Sequence, residues 1–185
     1  MDEIKSVIKE SIWANRFIYV AIIIGAVAFF SMATFLMQSM FYKPSAAMVV
    51  ASGSAGTWLT VGFVGLMLVG VLGTAVSGLF YWYLEVILNK SVKGISAFFA
   101  WIHIIFMSIG TIGASILMMY GGFFGGAAML PKYDGGLGET ALWVHVNILS
   151  SLMIPIGIFM AIGAFGVFAG GIAYITSMIK NGKKD

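Results

Sequence analysis

The sequence predicts an all-α integral membrane protein, a four-transmembrane-helix bundle with a short amphipathic helix at its N-terminus. Three observations carry the prediction. Hydrophobic residues make up 61% of the chain and charged residues 9%, which leaves too little polar surface to coat a soluble domain. Four apolar runs each exceed the roughly 20 residues needed to cross a ~30 Å hydrocarbon layer. The Lys and Arg residues fall outside those runs. Inside a bilayer every peptide group needs an internal partner, and the runs are too long and too uniformly apolar for the alternation of barrel strands, so each is read as a helix.

In chain order, residues 1–16 place Ile4, Val7, Ile8 and Ile12 on one helical face with Trp13 at the boundary, the pattern of a short helix lying in the membrane interface. The same stretch is polar and of mixed charge, with no small-residue cleavage site, so the first apolar run is expected to be a retained span. That run covers residues 17–40, the second 57–84 and the third 96–122. Between the third and fourth lies Gly121 to Thr140, whose seven glycines and Pro131 predict a flexible, turn-rich connector. The fourth run, 141–179, would reach about 58 Å as one straight helix, so it must project, tilt or break. Pro155 is the expected kink, and Gly170-Gly171 a second loose point. No repeat or composition shift divides the chain, and residues 1–185 are read as one membrane domain.

Orientation follows from the cations. Lys5, Lys9, Arg16, Lys90, Lys93, Lys180, Lys183 and Lys184 fall on one side of the predicted topology, and only Lys43 and Lys132 on the other. The positive-inside rule then puts both termini in the cytoplasm, for a multi-pass protein of the plasma membrane. Because the basic residues belong to loops and tails, no nucleic-acid surface is expected. Cysteine is absent, which excludes disulfide staples and thiolate metal sites.

Small residues at four-residue spacing mark where helices can approach: Gly73 with Ser77, Gly110 with Ala114, Gly157 with Ala161, and Gly166 with Gly170. The four runs contain no Asp, Glu, Lys or Arg, which argues against an ion-coupled transporter or a pump with a carboxylate relay. Glu85, beside Asn89 and Lys90, reads as a solvated helix end. His103 and His145 are the candidate haem ligands, imidazole being the residue type that would ligate haem in a bundle without cysteine. Counted from opposite ends of their helices, however, they differ in depth by about 20 Å, too far to share one iron. Each is therefore expected to be interfacial or hydrogen-bonded, with Ser108, Thr111, Asn147 and Ser150 as available polar partners. No cofactor is expected on the chain alone.

Two segments, GLFYWYLEVILNKSVKGISAFFAW from Gly78 to Trp101 and MLPKYDGGLGETALWVHVNILSS from Met129 to Ser151, resemble the last helices of haem–copper oxidase subunit I. In that family a glycine-rich tenth helix ends in an aromatic run, the eleventh opens near a Phe-Trp, and a Pro-Arg-Arg-Tyr type turn leads to a Trp and an Asn that open the twelfth. Phe80, Tyr81, Trp82 and Trp101 are similar to the first two elements, and Pro131, Lys132, Tyr133, Trp143 and Asn147 to the last. The resemblance spans about residues 58–167. Where the family's His-x-His ligates both haems, this chain reads Gly62-Phe63-Val64, and no copper-binding His cluster follows.

Resemblance without ligands implies a non-catalytic, structural or accessory subunit of a larger respiratory or energy-conserving membrane complex, with the lipid bilayer and larger membrane subunits as its partners. The alternative is a haem- or quinone-binding electron carrier using His103 or His145 and the aromatic belt from Phe80 to Tyr83. A glycine-lined carrier or channel for a small neutral solute is the third class.

Overall fold

A computed structural model describes residues 10–179, all of whose long elements are helices. Four are long and apolar enough to cross a membrane: α1 (Ile12–Phe41), α3 (Ser54–Ile87), α4 (Ile95–Met129) and α5 (Ala141–Ile179). A short helix, α2 (Ala46–Ala51), joins α1 to α3. The chain is thus an all-α membrane bundle.

Side-chain caps set three of the helix starts. The Ser11, Ser45 and Thr140 hydroxyls accept from the Ala14, Met48 and Trp143 N–H groups and so satisfy donors left open in a first turn. Glycine handles the turns that need positive φ, at Gly53 (φ 68°) before α3 and Gly94 (φ 62°) before α4. Ser11 and the Trp13 N–H both donate to the Glu85 carboxylate at the far end of α3. Glu85 is therefore half-buried and caps α1, where an anion is favoured by the helix dipole, and is not merely a solvated helix end.

α1 begins at Ile12 and not at Phe17, because Trp13 is drawn inward. Its indole N–H donates to the Val92 carbonyl at 3.3 Å, its ring packs 5.9 Å from Tyr81, and it is 3% exposed. Trp13 thus belongs to the first span, while Ile4, Val7 and Ile8 lie outside the described residues. Arg16 lies against two indoles, its guanidinium 4.6 Å from the Trp13 ring and 4.7 Å from Trp101. Aromatic and cationic side chains gathered at a helix end are the usual anchors of a bilayer interface.

α4 is the organising helix. It packs along α5 on one side and α3 on another, and α1 packs on α3. Its most apolar stretch is 44% buried, against 17% for α5. The glycine-rich stretch expected as a loop is in fact the last two turns of α4. Gly121, Gly122, Gly125 and Gly126 remain helical to Met129, and a Cβ at Gly122 would lie within 2.9 Å of the Trp58 and Leu59 backbones. Gly122 and Gly126 thus let α4 touch the start of α3, and Gly121 lies against Leu152 of α5, so these glycines promote helix packing where sequence composition suggests flexibility. Only Gly135, Gly136 and Gly138 of the seven lie in the connector, beside the 3-10 turn Lys132–Asp134.

α5 is helical through Pro155 and through Gly170-Gly171, so neither residue ends it. Its irregularity is a π-helical segment, His145–Leu149, and α3 carries two more at Leu66–Gly73 and Tyr83–Ile87. Each wider turn shifts the face presented by the helix beyond it.

Candidate functional site

The α4–α5 seam creates the environment of the candidate site. At its centre Gly110 meets Gly163, where a Cβ on Gly110 would be 2.5 Å from the Gly163 Cα and 2.6 Å from the Phe159 carbonyl oxygen. Further along, Gly166 lies on the Phe106–Met107 backbone and Gly170 on the His103 ring. Two of the four small-residue pairs, Gly110–Ala114 and Gly166–Gly170, therefore serve this seam. Gly73 approaches the tip of Met107, and Ser77 approaches His103. Gly157 and Ala161 are different. Both are exposed and a Cβ at Gly157 would meet nothing within 4 Å, so this pair does not pack within the chain as its spacing suggests. Spacing identifies a strip of small residues but not the side of the helix that finds a neighbour; Gly163, two residues past Ala161 and so on nearly the opposite side of α5, takes the role instead.

His103 sits where α1, α3, α4 and α5 converge, 7% exposed, with the Phe17 ring 4.9 Å away. Its Nδ1 is 3.4 Å from the Tyr81 hydroxyl and its Nε2 is 3.5 Å from Ser77 Oγ. Ser77 donates its own proton to the Gly73 carbonyl at 2.9 Å, so toward the imidazole it acts as acceptor. That arrangement fits a neutral ring with the proton on Nε2 and Tyr81 donating to Nδ1. The expected polar partners are therefore not the ones used. Ser108, Asn147 and Ser150 donate to the backbone carbonyls of Ile104, Trp143 and Val146 in their own helices.

His145 is exposed in the π-helical segment near the start of α5. Because His103 packs on Gly170, the two histidines are separated by the length of α5 from 145 to 170, which is 25 residues or about 38 Å. The separation exceeds the 20 Å expected because that depth was counted across a ~30 Å layer, whereas α5 runs as 39 residues, about 58 Å. The two rings do not converge. Among the described residues no group of three or more His, Asp or Glu comes together.

Gly62 is pressed onto α4, where a Cβ would lie 2.6 Å from the Ser115 carbonyl oxygen and 2.8 Å from the Met119 nitrogen. Its missing side chain serves helix packing. The aromatic belt also divides, with Tyr81 buried in the His103 cluster and Phe80, Trp82 and Tyr83 facing outward.

Beside His103 a cavity of about 580 Å³ is lined by Ser77, Tyr81, His103, Met107, Gly170 and Tyr174, among others. A second hollow of about 280 Å³ follows the α4–α5 seam past Gly110, Ala114 and Gly163, and Met107 and Val167 line both. Sequence reasoning singled out His103 and the small residues; it missed that Tyr81 and Ser77, four residues apart and so on one face of α3, point at that histidine. Compared with known proteins, the chain matches no family model, no curated protein and no solved structure.

Proposed function

We propose that the chain is a non-catalytic subunit of a larger membrane complex of respiratory or energy-conserving type, held in the plasma membrane with both termini in the cytoplasm. The observation that carries the subunit reading is α5. It is the longest span at 39 residues, yet 17% of its apolar core stretch is buried against this chain, and it turns the small residues Gly157 and Ala161 outward. Small residues let another helix come close enough for backbone contact, which lipid tails do not exploit. Hydroxyl and amide groups in the spans bond largely to their own backbones, as Ser77, Ser108, Asn147, Ser150 and Thr176 do, a use that serves structure. The resemblance to the terminal helices of an oxidase core subunit favours the same class.

Purification from native membranes in a mild detergent is expected to bring larger membrane subunits with the chain, and the isolated chain is expected to be colourless. Elution as a lone polypeptide from freshly solubilised membranes would count against the subunit reading. A stoichiometric Soret band that disappears in His103→Ala or His145→Ala would favour the electron carrier instead.

The orientation rests on the eight-to-two division of cations. In the fold, the Arg16 end of α1 meets the end of α3 and the start of α4 that flank Lys90 and Lys93, while Lys43 lies beside Gly135 at the other end. Single cysteines introduced at the exposed Ser91 and Leu137 are expected to react with a membrane-impermeant thiol reagent from the cytoplasmic and outer sides respectively. The reverse labelling would overturn it.

A further inference from the structure

We propose that the His103 cavity and the adjoining seam form one intramembrane binding site for a neutral amphiphile of the isoprenoid quinone class, with the ring at His103 and the tail along α4. The inference is independent of the subunit reading, because every residue it uses belongs to this chain.

The head end has the size and chemistry for a carbonyl-bearing ring. At about 580 Å³ the cavity falls within the roughly 300–1,000 Å³ of small-molecule sites, and its lining is apolar apart from a few convergent polar groups. Those groups belong to Tyr81, Ser77 and His103, and Tyr174 is the other hydroxyl-bearing side chain of the lining. His103 is more than nine-tenths buried, yet its contacts of 3.4 and 3.5 Å are longer than the about 2.7–3.2 Å of ordinary hydrogen bonds. Its ring is enclosed but weakly bonded. A ligand carbonyl accepting from Nε2–H therefore gains a charge-free hydrogen bond in a low-dielectric site while displacing only a weak one.

The lining contains no charged side chain, which disfavours a phosphate or carboxylate head. Phe80 and Tyr174, edge-to-face with centroids 6.4 Å apart, supply ring surfaces against which a planar head can pack.

The rest of the hollow suits a tail. From His103 to Met118 is 15 residues, about 22 Å along α4, and over that length the walls are Gly, Ala, Met and Val with the Thr111 and Ser115 side chains as the polar exceptions. Glycines at 110 and 163 keep the floor of the slot low. Val76, Phe80 and Ile175 on the rim of the head cavity are exposed, so a lipid-soluble molecule enters sideways from the bilayer.

The test uses the purified full chain in nanodiscs of defined phospholipid and no quinone, titrated with a decyl-tailed benzoquinone and followed by thermal stability. Gly171→Leu is the blocking variant, since Gly171 lines the cavity and has open space for a Cβ, so the fold tolerates it. Gly157→Leu is the control outside the cavity. Saturable stabilisation is expected in the wild type and in Gly157→Leu, with apparent affinity weakened at least tenfold in Gly171→Leu and severalfold in Tyr81→Phe. Three results would overturn the assignment. The first is no saturable shift in the wild type. The second is equal binding by Gly171→Leu. The third is an equal response to decane, which would make the site an acyl-chain groove without head recognition. Because no other subunit is in the assay, none of these outcomes bears on whether the chain belongs to a complex.

Discussion

Gly110→Leu is expected to lower thermal stability in detergent sharply, by roughly 3 kcal/mol or more, at the upper end of overpacking effects. The reason is what surrounds the missing Cβ. On Gly110 even a methyl group would fall 2.5 Å from the Gly163 Cα and 2.6 Å from the Phe159 carbonyl oxygen. These are backbone atoms, which cannot swing aside as a side-chain tip does, so α4 and α5 must separate along their shared length. The loss then spreads beyond one contact, because the same seam positions Gly166 on Met107 and Gly170 on His103. Gly157→Leu, with nothing within 4 Å of its Cβ, is expected to leave the isolated chain within about 0.5 kcal/mol of wild type. Melting curves of both variants in one detergent decide the matter. Equal melting temperatures would mean that the α4–α5 seam is not as close as described.

Glu85→Ala is expected to cost about 1–3 kcal/mol, the range of a lost helix cap to that of hydrogen bonds with a charged acceptor. The carboxylate accepts from the Ser11 hydroxyl and the Trp13 N–H, and Ser11 in turn caps the Ala14 N–H, so one substitution removes an anion from the start of α1 and leaves two donors short of an acceptor. The readout is hydrogen exchange. Faster exchange is expected in the first turn of α1, at Trp13 and Ala14, with the Gly110 region unchanged. Glu85→Gln, which keeps an accepting oxygen but loses the charge, is expected to fall between wild type and alanine. Unaltered exchange at Trp13 in Glu85→Ala would show that the cap contributes nothing.

Both predictions depend on facts that composition and spacing hold only in part. Gly110 was recognisable as a small residue in a span, and so was Gly157, since the two sequences around them look alike. Glu85 was recognisable as a charge at a helix end, with no hint that the start of α1 lies against it 74 residues earlier in the chain.

The sequence by itself determined the class of the protein. Four spans, their order and nearly their limits follow from hydrophobicity, because a bilayer imposes one requirement on every residue of a crossing helix and that requirement is legible locally. The ends of the helices were less legible, since Trp13 and the Gly121–Gly126 stretch are held in helices by contacts with Tyr81, Val92, Trp58 and Leu59, residues remote in sequence. Only the tertiary structure decided which face of each helix turns inward. In water the apolar stripe of a helix marks its buried side, but in lipid both sides are apolar, so the pattern that would reveal rotation is erased. Rotation is what directs Ser77 and Tyr81 toward His103, sets Gly163 and not Gly157 against α4, and leaves a cavity beside the one buried histidine among the described residues.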